Sequence, residues 1–437
     1  MVTVSEYRRT IFDLVSRLRR SEEVPLAASA GHVLVLAEDV HSPADVPPFD
    51  NSQMDGFAVS SEDPAVTGAQ APAAPVQTAG DVRAAADASF GGPALPLMPM
   101  VPAGRAPEPL RRRHAAPVMT GSRMPAGADC VIPVEQTADG FGRADAVSFT
   151  ESLGELAQPG RFVRRRGSDT AAGERIARAG ERLSPALAGV LASCGLAHAP
   201  VWAPLRILVV STGDEVVAPG AERGEAQIFD ANGIAVTGAL MAAGARIVAT
   251  LHVSDDPADL FAQVGRWAAQ TDLVVSMGGI SQGAREVIRL AAAAEAEGSG
   301  GAAAGGMVFD AVGMQPGGPQ AHGRLAGLPW IALPGNPVSS LVSIEMFVRP
   351  ALLAVPPERA PRPVAEARLE LAAPQDSPPG KLQVRRAHLR PDATVELISG
   401  PSSHLLGAYA RADALALIGA ETTQIADGDE VIVWSIA

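Results

Sequence analysis

The strongest constraint on the fold is an alternation of apolar strands and amphipathic helices between Leu205 and about Val355. Segments such as "LRILVVST", "DLVVSMGG" and "PWIALPG" are almost wholly apolar. Each is followed by a segment with helical spacing of apolar residues, for example "NPVSSLVSIEMFV". Strands without polar residues are typical of parallel sheets that are covered on both faces. The pattern therefore predicts a doubly wound, mostly parallel α/β domain.

The first 200 residues carry different patterns. Apolar residues recur with helical spacing from Tyr7 to Leu18, and "RLSPALAGVLASCG" ends at Gly195, so both segments predict helices. The segment Gly31–Val40, "GHVLVLAEDV", predicts a strand. Residues 47 to about 160 are rich in Pro and Gly and contain short apolar runs, among them "DCVIPVEQT" and "DAVSFTE". These runs predict a β-rich module inserted between the two helices.

The chain changes character again after Pro356. Short alternating segments follow one another there: "EARLELAA", "LQVRRAHL", "TVELIS" and "DEVIVWSI". Alternation of this kind predicts a small terminal β domain, either a barrel or a sandwich.

Charge and composition narrow the function. The net charge of −13 argues against broad binding to nucleic acid or to anionic membranes. Lys381 is the single lysine, so anions must be held by arginines, backbone amides or a metal ion. Cys130 and Cys194 fit no metal or redox spacing. No signal peptide and no membrane span are evident, which predicts a soluble cytoplasmic protein without a membrane partner.

Three strand ends of the α/β region carry glycine and hydroxyl residues. They are "STGDE", "MGGISQG" and "PGNPVSS". Glycines let a ligand approach the backbone amides, helices begin after the second and third loops, and Asn336 can cap the third helix. One such loop is usually a turn, but three on successive strand ends predict a phosphate-sized anion pocket. Its candidate binding residues are Ser211, Thr212, Gly213, Asp214, Gly278, Gly279, Ser281, Gly283, Pro334, Gly335, Asn336 and Pro337.

Acidic and basic residues accompany these loops. Asp214 and Glu215 would repel a bound phosphate unless a cation lies between them, and Mg²⁺ suits such oxygen ligands. The alternative is a solvated turn. The segment "SDDP" follows another strand, where acids before proline also simply begin a helix. Four arginines surround Asp169 in "RFVRRRGSD", either as an anion clamp or as a solvated face.

Several of these segments, in order, resemble motifs of one family. The text "DVPPFDNSQMDGFAV", "VMTGSRMPAGADCVIPVEQT", "RRRGSD", "VVSTGDEV", "EAQIFDANG", "SMGGISQG" and "LPGNPVSS" resembles the MoeA family, the molybdopterin molybdenumtransferases, which includes the gephyrin E domain. The resemblance covers nearly the whole chain. It implies insertion of molybdate into adenylylated molybdopterin with release of AMP, in a Mg²⁺-dependent step of molybdenum-cofactor synthesis.

The resemblance also implies an architecture. Residues 1–46 and 159–200 would form a discontinuous linking and dimerisation domain, 47–158 an inserted β domain, 201–355 a MogA-like molybdopterin-binding α/β domain, and 356–437 a C-terminal β barrel. An elongated homodimer is implied, with each active site between the α/β domain of one subunit and the β domain of the other. The molybdopterin adenylyltransferase that makes the substrate becomes a candidate partner.

Site residues follow from the matching motifs. The resemblance implies catalytic roles for Asp55, Thr120, Asp169, Glu215, Asp256 and Glu286, with Glu215 and Asp256 on the metal. Pro316 and Gly317 would join the cofactor-binding residues. Two departures stand out. Glu286, in "GAREV", replaces a family aspartate. Gln315 and Gly318, in "MQPGGPQ", replace the lysines of a "KPGKP" loop, and Arg285 is a candidate replacement cation.

Two rival functions remain open. The first is a molybdopterin adenylyltransferase, because its fold resembles the α/β domain. The second is a catalytically weakened paralogue or a scaffold, which the missing lysines make plausible.

Overall fold

The structure is a computed structural model that describes residues 1–29, 31–67, 94–142, 145–281, 283, 286–298 and 306–436. The chain forms two compact units. The first comprises Met1–Glu38, Ala179–Ser184 and His198–Ala437, and the second comprises Asp39–Arg178 and Pro185–Ala197. The four-domain division expected from the sequence is finer than these two units and stays a prediction.

The helices, in chain order, are α1 (Val4–Ser16), α2 (Pro64–Thr67), α3 (Leu153–Leu156), α4 (Pro185–Ser193), α5 (Ala231–Ala242), α6 (Pro257–Gly265), α7 (Val287–Gly298), α8 (Pro337–Ser343), α9 (Arg349–Leu352) and α10 (Leu406–Tyr409). A π-helical turn, Ile344–Val348, joins α8 to α9. The first strands are β1 (Ser21–Pro25), β2 (Val40–His41), β3 (Asn51–Ser52), β4 (Gly56–Val59), β5 (Ala94–Pro96), β6 (Ala116–Val118), β7 (Cys130–Pro133), β8 (Ala146–Ser148), β9 (Val163–Arg164) and β10 (Arg175–Ala177).

The following strands belong to the α/β region and its approach: β11 (His198–Trp202), β12 (Arg206–Thr212), β13 (Val216–Val217), β14 (Ile228–Phe229), β15 (Arg246–Val253), β16 (Leu273–Met277), β17 (Val308–Ala311), β18 (Met314–Gln315), β19 (Pro319–Leu325) and β20 (Leu328–Leu333). The C-terminal strands are β21 (Val364–Glu370), β22 (Gln375–Asp376), β23 (Leu382–Leu389), β24 (Thr394–Leu397), β25 (Ala414–Ile418), β26 (Gln424–Ile425) and β27 (Glu430–Ser435).

The predicted N-terminal helix is confirmed as α1. Thr3 and Glu6 form a reciprocal capping box that satisfies orphan amide groups at its start. Tyr7, Ile11 and Val15 lie four residues apart on one buried face and join the core of the first unit. Burying side chains of this kind contributes about 1.5–3 kcal/mol each, so packing stabilises α1.

The strand predicted over 31–40 is wrong. Val35 and Leu36 make isolated bridges to Arg182 and Val201, and regular pairing begins only at β2. The backbone of this segment turns from one partner segment to the other, residue by residue. No ladder with a single neighbour can therefore extend along it.

The predicted α/β layer is confirmed. The strands lie in the order β15-β12-β16-β20-β19-β17, with β15, β12, β16 and β20 mutually parallel. Successive residues of β12 enter different cores: Ile207 and Val209 pack on one face of the sheet, Leu208 and Val210 on the other. Both faces are covered, which explains the absence of alternation in the sequence. The antiparallel strands β19 and β17 extend the sheet and were not predicted.

The C-terminal region is a closed barrel. Strands β23, β24, β21, β27 and β25 pair in that order, and β25 pairs back with β23. The residue pattern alone left barrel and sandwich open, and the barrel that the resemblance implied is confirmed. The segment "ALALI", which was not predicted as a strand, becomes β25. Its two pairings remove the free sheet edges.

The second unit contains the predicted β module. β4 pairs with both β6 and β7, and β5 pairs with β8. The strands predicted in "DCVIPVEQT" and "DAVSFTE" are confirmed as β7 and β8. Phe57 and Phe149 meet edge to face in the core of this unit.

A buried ionic cluster includes Glu345 of the π-helical turn. Arg362 donates to both carboxylate oxygens of Glu345, at 2.8 and 3.0 Å, and Arg349 lies 3.8 Å from the same carboxylate. Glu345 is 6% exposed and Arg349 9% exposed.

In the described part of the chain, no helix combines the length and the apolar character needed to cross a bilayer.

Candidate active site

A cavity of about 1040 Å³ opens at the carboxyl ends of β12, β16 and β20. All its lining residues belong to the first unit. The structure brings together here most of the predicted binding residues: Ser211, Thr212, Gly213, Gly278, Gly279, Ser281, Pro316, Gly317, Pro334, Gly335, Asn336 and Pro337, with Glu215 and Glu286. Ligands of open α/β sheets bind at this edge.

The end of β12 and the loop after it form the first wall. Ser211 is 3% exposed, and within the described part of the chain the hydroxyl oxygen of this cavity-lining residue has no hydrogen-bond partner. Gly213 has a φ of +126°, and a side chain there would collide with the Glu215 carboxylate. The glycine therefore lets Glu215 fold back against its own loop.

The loop after β16 lies against the first. Thr212 donates its hydroxyl to the Met277 carbonyl oxygen at 3.1 Å. Gly278 has a φ of +86°, and a Cβ atom there would lie 2.6 Å from the Thr212 hydroxyl oxygen. The Ser281 amide donates to a carboxylate oxygen of Glu286 at 3.0 Å, so Glu286 holds this loop in addition to lining the cavity.

The loop after β20 precedes α8. Asn336 occupies the N-cap position, but its side chain makes no capping hydrogen bond, contrary to the expected cap. The loop is held instead by Ser340, which donates to the Pro334 carbonyl oxygen at 2.5 Å, and by Asn232, whose side-chain amide donates to the Gly335 carbonyl oxygen at 2.6 Å.

Among the described residues, four with carboxylate side chains line the cavity: Glu215, Asp230, Asp255 and Glu286. Asp214 and Asp256 were predicted for the site but are not among the lining residues. Asp214 accepts the Asp255 amide at 3.2 Å, and Asp256 caps α6 by accepting the Ala258 amide at 2.9 Å. The predicted roles of Asp214 and Asp256 stay predictions.

The sequence reasoning did not single out Asp230, and within "SDDP" it preferred Asp256 to Asp255. Asp230 caps α5 by accepting the Gly233 amide at 2.7 Å. An acid just before a predicted helix was the available signal in both cases. Gly283, also predicted, lies in the described part of the chain but outside the cavity lining.

The loop after β18 forms a further wall. Gln315, Pro316 and Gly317 line the cavity, as expected for the last two. The buried Gln383 donates its side-chain amide to the Gln315 side-chain oxygen at 3.0 Å. The predicted replacement cation, Arg285, lies outside the described residues.

A loop of the barrel completes the cavity and was not predicted. Its lining residues are Pro401, Ser402, Ser403 and His404. The Val338 amide at the start of α8 donates to the Ser403 carbonyl oxygen at 3.1 Å. The buried Arg386 donates to the Ser402 carbonyl oxygen at 3.1 Å and also to that of Gly400. Desolvation lowers the pKa of Arg386, but a guanidinium stays charged at neutral pH.

Asp55, Thr120 and Asp169 belong to the second unit. The Thr120 amide and hydroxyl both donate to Oδ1 of Asp55, at 2.6 and 2.8 Å. These bonds, the amide bond first, hold the pKa of Asp55 below its ordinary value. Two predicted residues that are distant in the chain are therefore in direct contact, whereas Asp169 lies exposed on its turn.

The arginine-rich turn is paired with two aspartates from a distant part of the sequence. Asp50 accepts the Arg165 guanidinium at 2.7 Å and the Arg166 amide at 2.7 Å. Asp45 accepts the Arg166 guanidinium and the Ala172 amide. The charges of Arg165 and Arg166 are therefore balanced by these aspartates, which favours the solvated face over the anion clamp.

Comparison with known proteins identifies similar chains along the whole length. The family model described as "MoeA N-terminal region (domain I and II)" matches residues 2–195, "Probable molybdopterin binding domain" matches 208–354, and "MoeA C-terminal region (domain IV)" matches 368–436. Molybdopterin molybdenumtransferase 2 of Mycobacterium tuberculosis is 39% identical, covering 100% of both chains.

Other relatives are more distant. The molybdopterin molybdenumtransferase of Synechococcus elongatus is 31% identical, covering 95% of this chain and 94% of its own. The crystal structure of a molybdopterin biosynthesis MoeA protein from Pyrococcus horikosii superposes with a TM-score of 0.73 at 27% identity, covering 100% of this chain and 99% of its own.

Proposed function

We propose that this chain, which belongs to the MoeA family, is a molybdopterin molybdenumtransferase that inserts molybdate into adenylylated molybdopterin and releases AMP. The observation that carries the proposal is the cavity at the ends of β12, β16 and β20, whose lining combines glycine, hydroxyl and carboxylate residues. Its volume, about 1040 Å³, suits a substrate of nucleotide size. The names of the relatives indicate the same reaction.

The polar walls suit the phosphate groups of the substrate. The partnerless Ser211 hydroxyl is a buried donor that an anionic oxygen would satisfy. The glycines of the loops let a ligand approach the backbone closely. The protein would supply binding, orientation and charge neutralisation, and the soft dithiolene sulfurs of the substrate would take the molybdenum.

Mg²⁺ is proposed as the cofactor. Among the described residues, no three His, Cys, Asp or Glu side chains cluster closely enough to hold a metal by themselves. Mg²⁺ commonly uses only one or two carboxylates together with water and substrate phosphate, so the donor set fits. We propose Glu215 and Asp255 as its ligands, because both line the cavity whereas Asp256 caps a helix. The ion would neutralise and polarise the phosphate oxygens.

A homodimer is proposed as the working form. In this arrangement Asp55, with Thr120, would face the cavity of the partner subunit. Asp55 accepts two hydrogen bonds from Thr120, which hold its carboxylate in one orientation and lower its pKa. The role of Asp169, an association with the adenylyltransferase and a cytoplasmic location stay predictions.

The decisive experiment measures AMP release from adenylylated molybdopterin in the presence of molybdate and Mg²⁺. Wild-type protein should release AMP, and Asp55→Ala and Glu215→Ala should each lose most of the activity. Asp376→Ala, in the exposed strand β22 outside the cavity lining, is the matched control. Formation of adenylylated product from molybdopterin and ATP would instead identify an adenylyltransferase. No AMP release by the wild type would indicate a scaffold, and full activity of both site variants would contradict the roles of Asp55 and Glu215.

A further inference from the structure

Two large apolar side chains are exposed in the wall of this otherwise polar cavity. Ile228 is 57% exposed and Phe229 is 47% exposed, and both line the cavity. We call this pair the apolar shelf. Only 4% of the chain is aromatic, and of the described phenylalanines only Phe229 has an exposed side chain. Phe229 belongs to none of the hydrophobic core clusters of the described residues, so packing does not account for it.

The backbone fixes the apolar shelf beside the anion-binding loop. The shelf residues form β14, which pairs in parallel with β13. The Ile228 amide donates to the Glu215 carbonyl oxygen at 2.8 Å, and the Asp230 amide donates to the Val217 carbonyl oxygen at 2.8 Å. These backbone hydrogen bonds hold Ile228 and Phe229 beside Glu215, in the loop after β12. Helix α5 begins shortly after Phe229.

A ligand that fills this cavity must satisfy two kinds of wall. The Ser211 hydroxyl offers a donor to an anionic group, and Phe229 offers an aromatic face to a flat group. Aromatic rings stack on heterocycles in offset or edge arrangements, and this contact is largely insensitive to ring substituents. A molecule with a phosphate at one end and a planar ring at the other satisfies both walls.

We propose that Phe229 is a binding residue that stacks on a planar heteroaromatic ring of the substrate. This rests on the proposed function, since adenylylated molybdopterin carries two such rings, the adenine and the pterin. Both rings present the same stacking chemistry, and separate probes distinguish them.

The test is calorimetric titration of the full-length protein with three probes: AMP, 6-hydroxymethylpterin and ribose 5-phosphate. Phe229→Ala should weaken binding of AMP or of the pterin by about 5- to 150-fold, the range for loss of one stacked ring. Phe229→Tyr should restore it. Binding of ribose 5-phosphate, which has no ring, should stay within about twofold. Whichever ring probe responds identifies the stacked ring.

The matched control is Ile234→Ala. Ile234 is 68% exposed on α5, five residues from Phe229, and does not line the cavity. Its variant should bind all three probes like wild type. An unchanged melting temperature in Phe229→Ala would exclude unfolding as the cause.

Three outcomes overturn the inference: both ring probes bind Phe229→Ala as tightly as wild type, neither binds wild type at all, or Phe229→Ala changes the oligomeric state without changing ring binding. The last would assign the shelf to a contact between copies of the chain. AMP release by wild type is scored separately. Activity with no effect of Phe229→Ala defeats this inference alone, whereas ring-specific binding without molybdenum transfer defeats only the proposed function.

Discussion

Thr120 donates both its amide and its hydroxyl hydrogen to Oδ1 of Asp55, across 65 residues of sequence. The two residues lie in different motifs of the second unit, and folding joins them into one acidic group with a fixed orientation. A carboxylate that accepts two hydrogen bonds is stabilised in its ionised form. The same two hydrogen bonds therefore fix the orientation of the Asp55 carboxylate and stabilise its negative charge.

Thr120→Val should raise the pKa of Asp55, because the variant removes the hydroxyl donor but keeps the amide donor. The folded-state pKa of Asp55 lies below its unfolded value, so its contribution to stability is present above about pH 3.9 and is lost as the pH falls through the folded-state value. The acid limb of stability and activity should move to higher pH in the variant. Carboxyl NMR titration measures the shift, and Thr120→Ser should keep the wild-type value.

Ser211→Ala should weaken anion binding with almost no effect on stability. The Ser211 hydroxyl has no partner within the described structure, so the folded protein loses no hydrogen bond. A bound phosphate oxygen would lose one donor, worth about 1 kcal/mol or roughly fivefold in affinity. Titration with AMP and thermal unfolding measure the two effects. A large drop in melting temperature with unchanged affinity would contradict the assignment.

Asp255→Asn should change the Mg²⁺ requirement of the reaction, whereas Asp256→Ala should change the stability of the protein. Asp255 lines the cavity, so its variant should raise the Mg²⁺ concentration needed for AMP release. Asp256 caps α6, so its variant should destabilise the protein by about 1 kcal/mol and leave the Mg²⁺ requirement nearly unchanged. Activity as a function of Mg²⁺, together with chemical denaturation, separates the two residues. The reverse result would return the metal to Asp256.

Gln315→Lys should strengthen oxyanion binding. Gln315 lines the cavity as a neutral group, and a cation there would attract phosphate and molybdate, about tenfold at low salt and less as screening increases. The buried Gln383 amide would lose its acceptor, so a loss of about 1 kcal/mol in stability should accompany the gain. Titration with molybdate at two salt concentrations measures the effect. Affinity independent of salt would refute the electrostatic reason.

Arg362→Ala should destabilise the first unit by about 3 kcal/mol or more, because it leaves the Glu345 carboxylate buried without its bidentate partner. Arg9→Ala is the control. Arg9 pairs with Glu358 at 2.9 Å, but both side chains are more than 60% exposed, and such pairs contribute about 0–1 kcal/mol. Urea denaturation of both variants compares them, and equal effects would contradict the role of burial.

Local pattern was enough for the α/β layer. The sequence predicted, in chain order, the strands β12, β16 and β20 and the helices after them. Strands that are covered on both faces consist of continuous apolar segments, which can be recognised without knowing their partners. Segments whose partners are distant were less accessible. Val35 and Leu36 looked like a strand but pair singly with two different segments, and "ALALI" closes a barrel that its own letters do not indicate.

The sequence alone determined the chemistry available to this protein: glycine and hydroxyl residues at three strand ends, acids beside them, and almost no lysine to bind anions. It also carried the ordered motifs from which the family was expected. Only the tertiary structure decided which residues meet. It placed Asp255 rather than Asp256 at the cavity, joined Thr120 to Asp55, turned Gln383 toward Gln315 and brought the Ser402–His404 loop of the barrel to the α/β edge. The physical reason is that the residue types and their local spacing can be read directly from the sequence. Side-chain contacts depend instead on how segments that are distant in the sequence pack together.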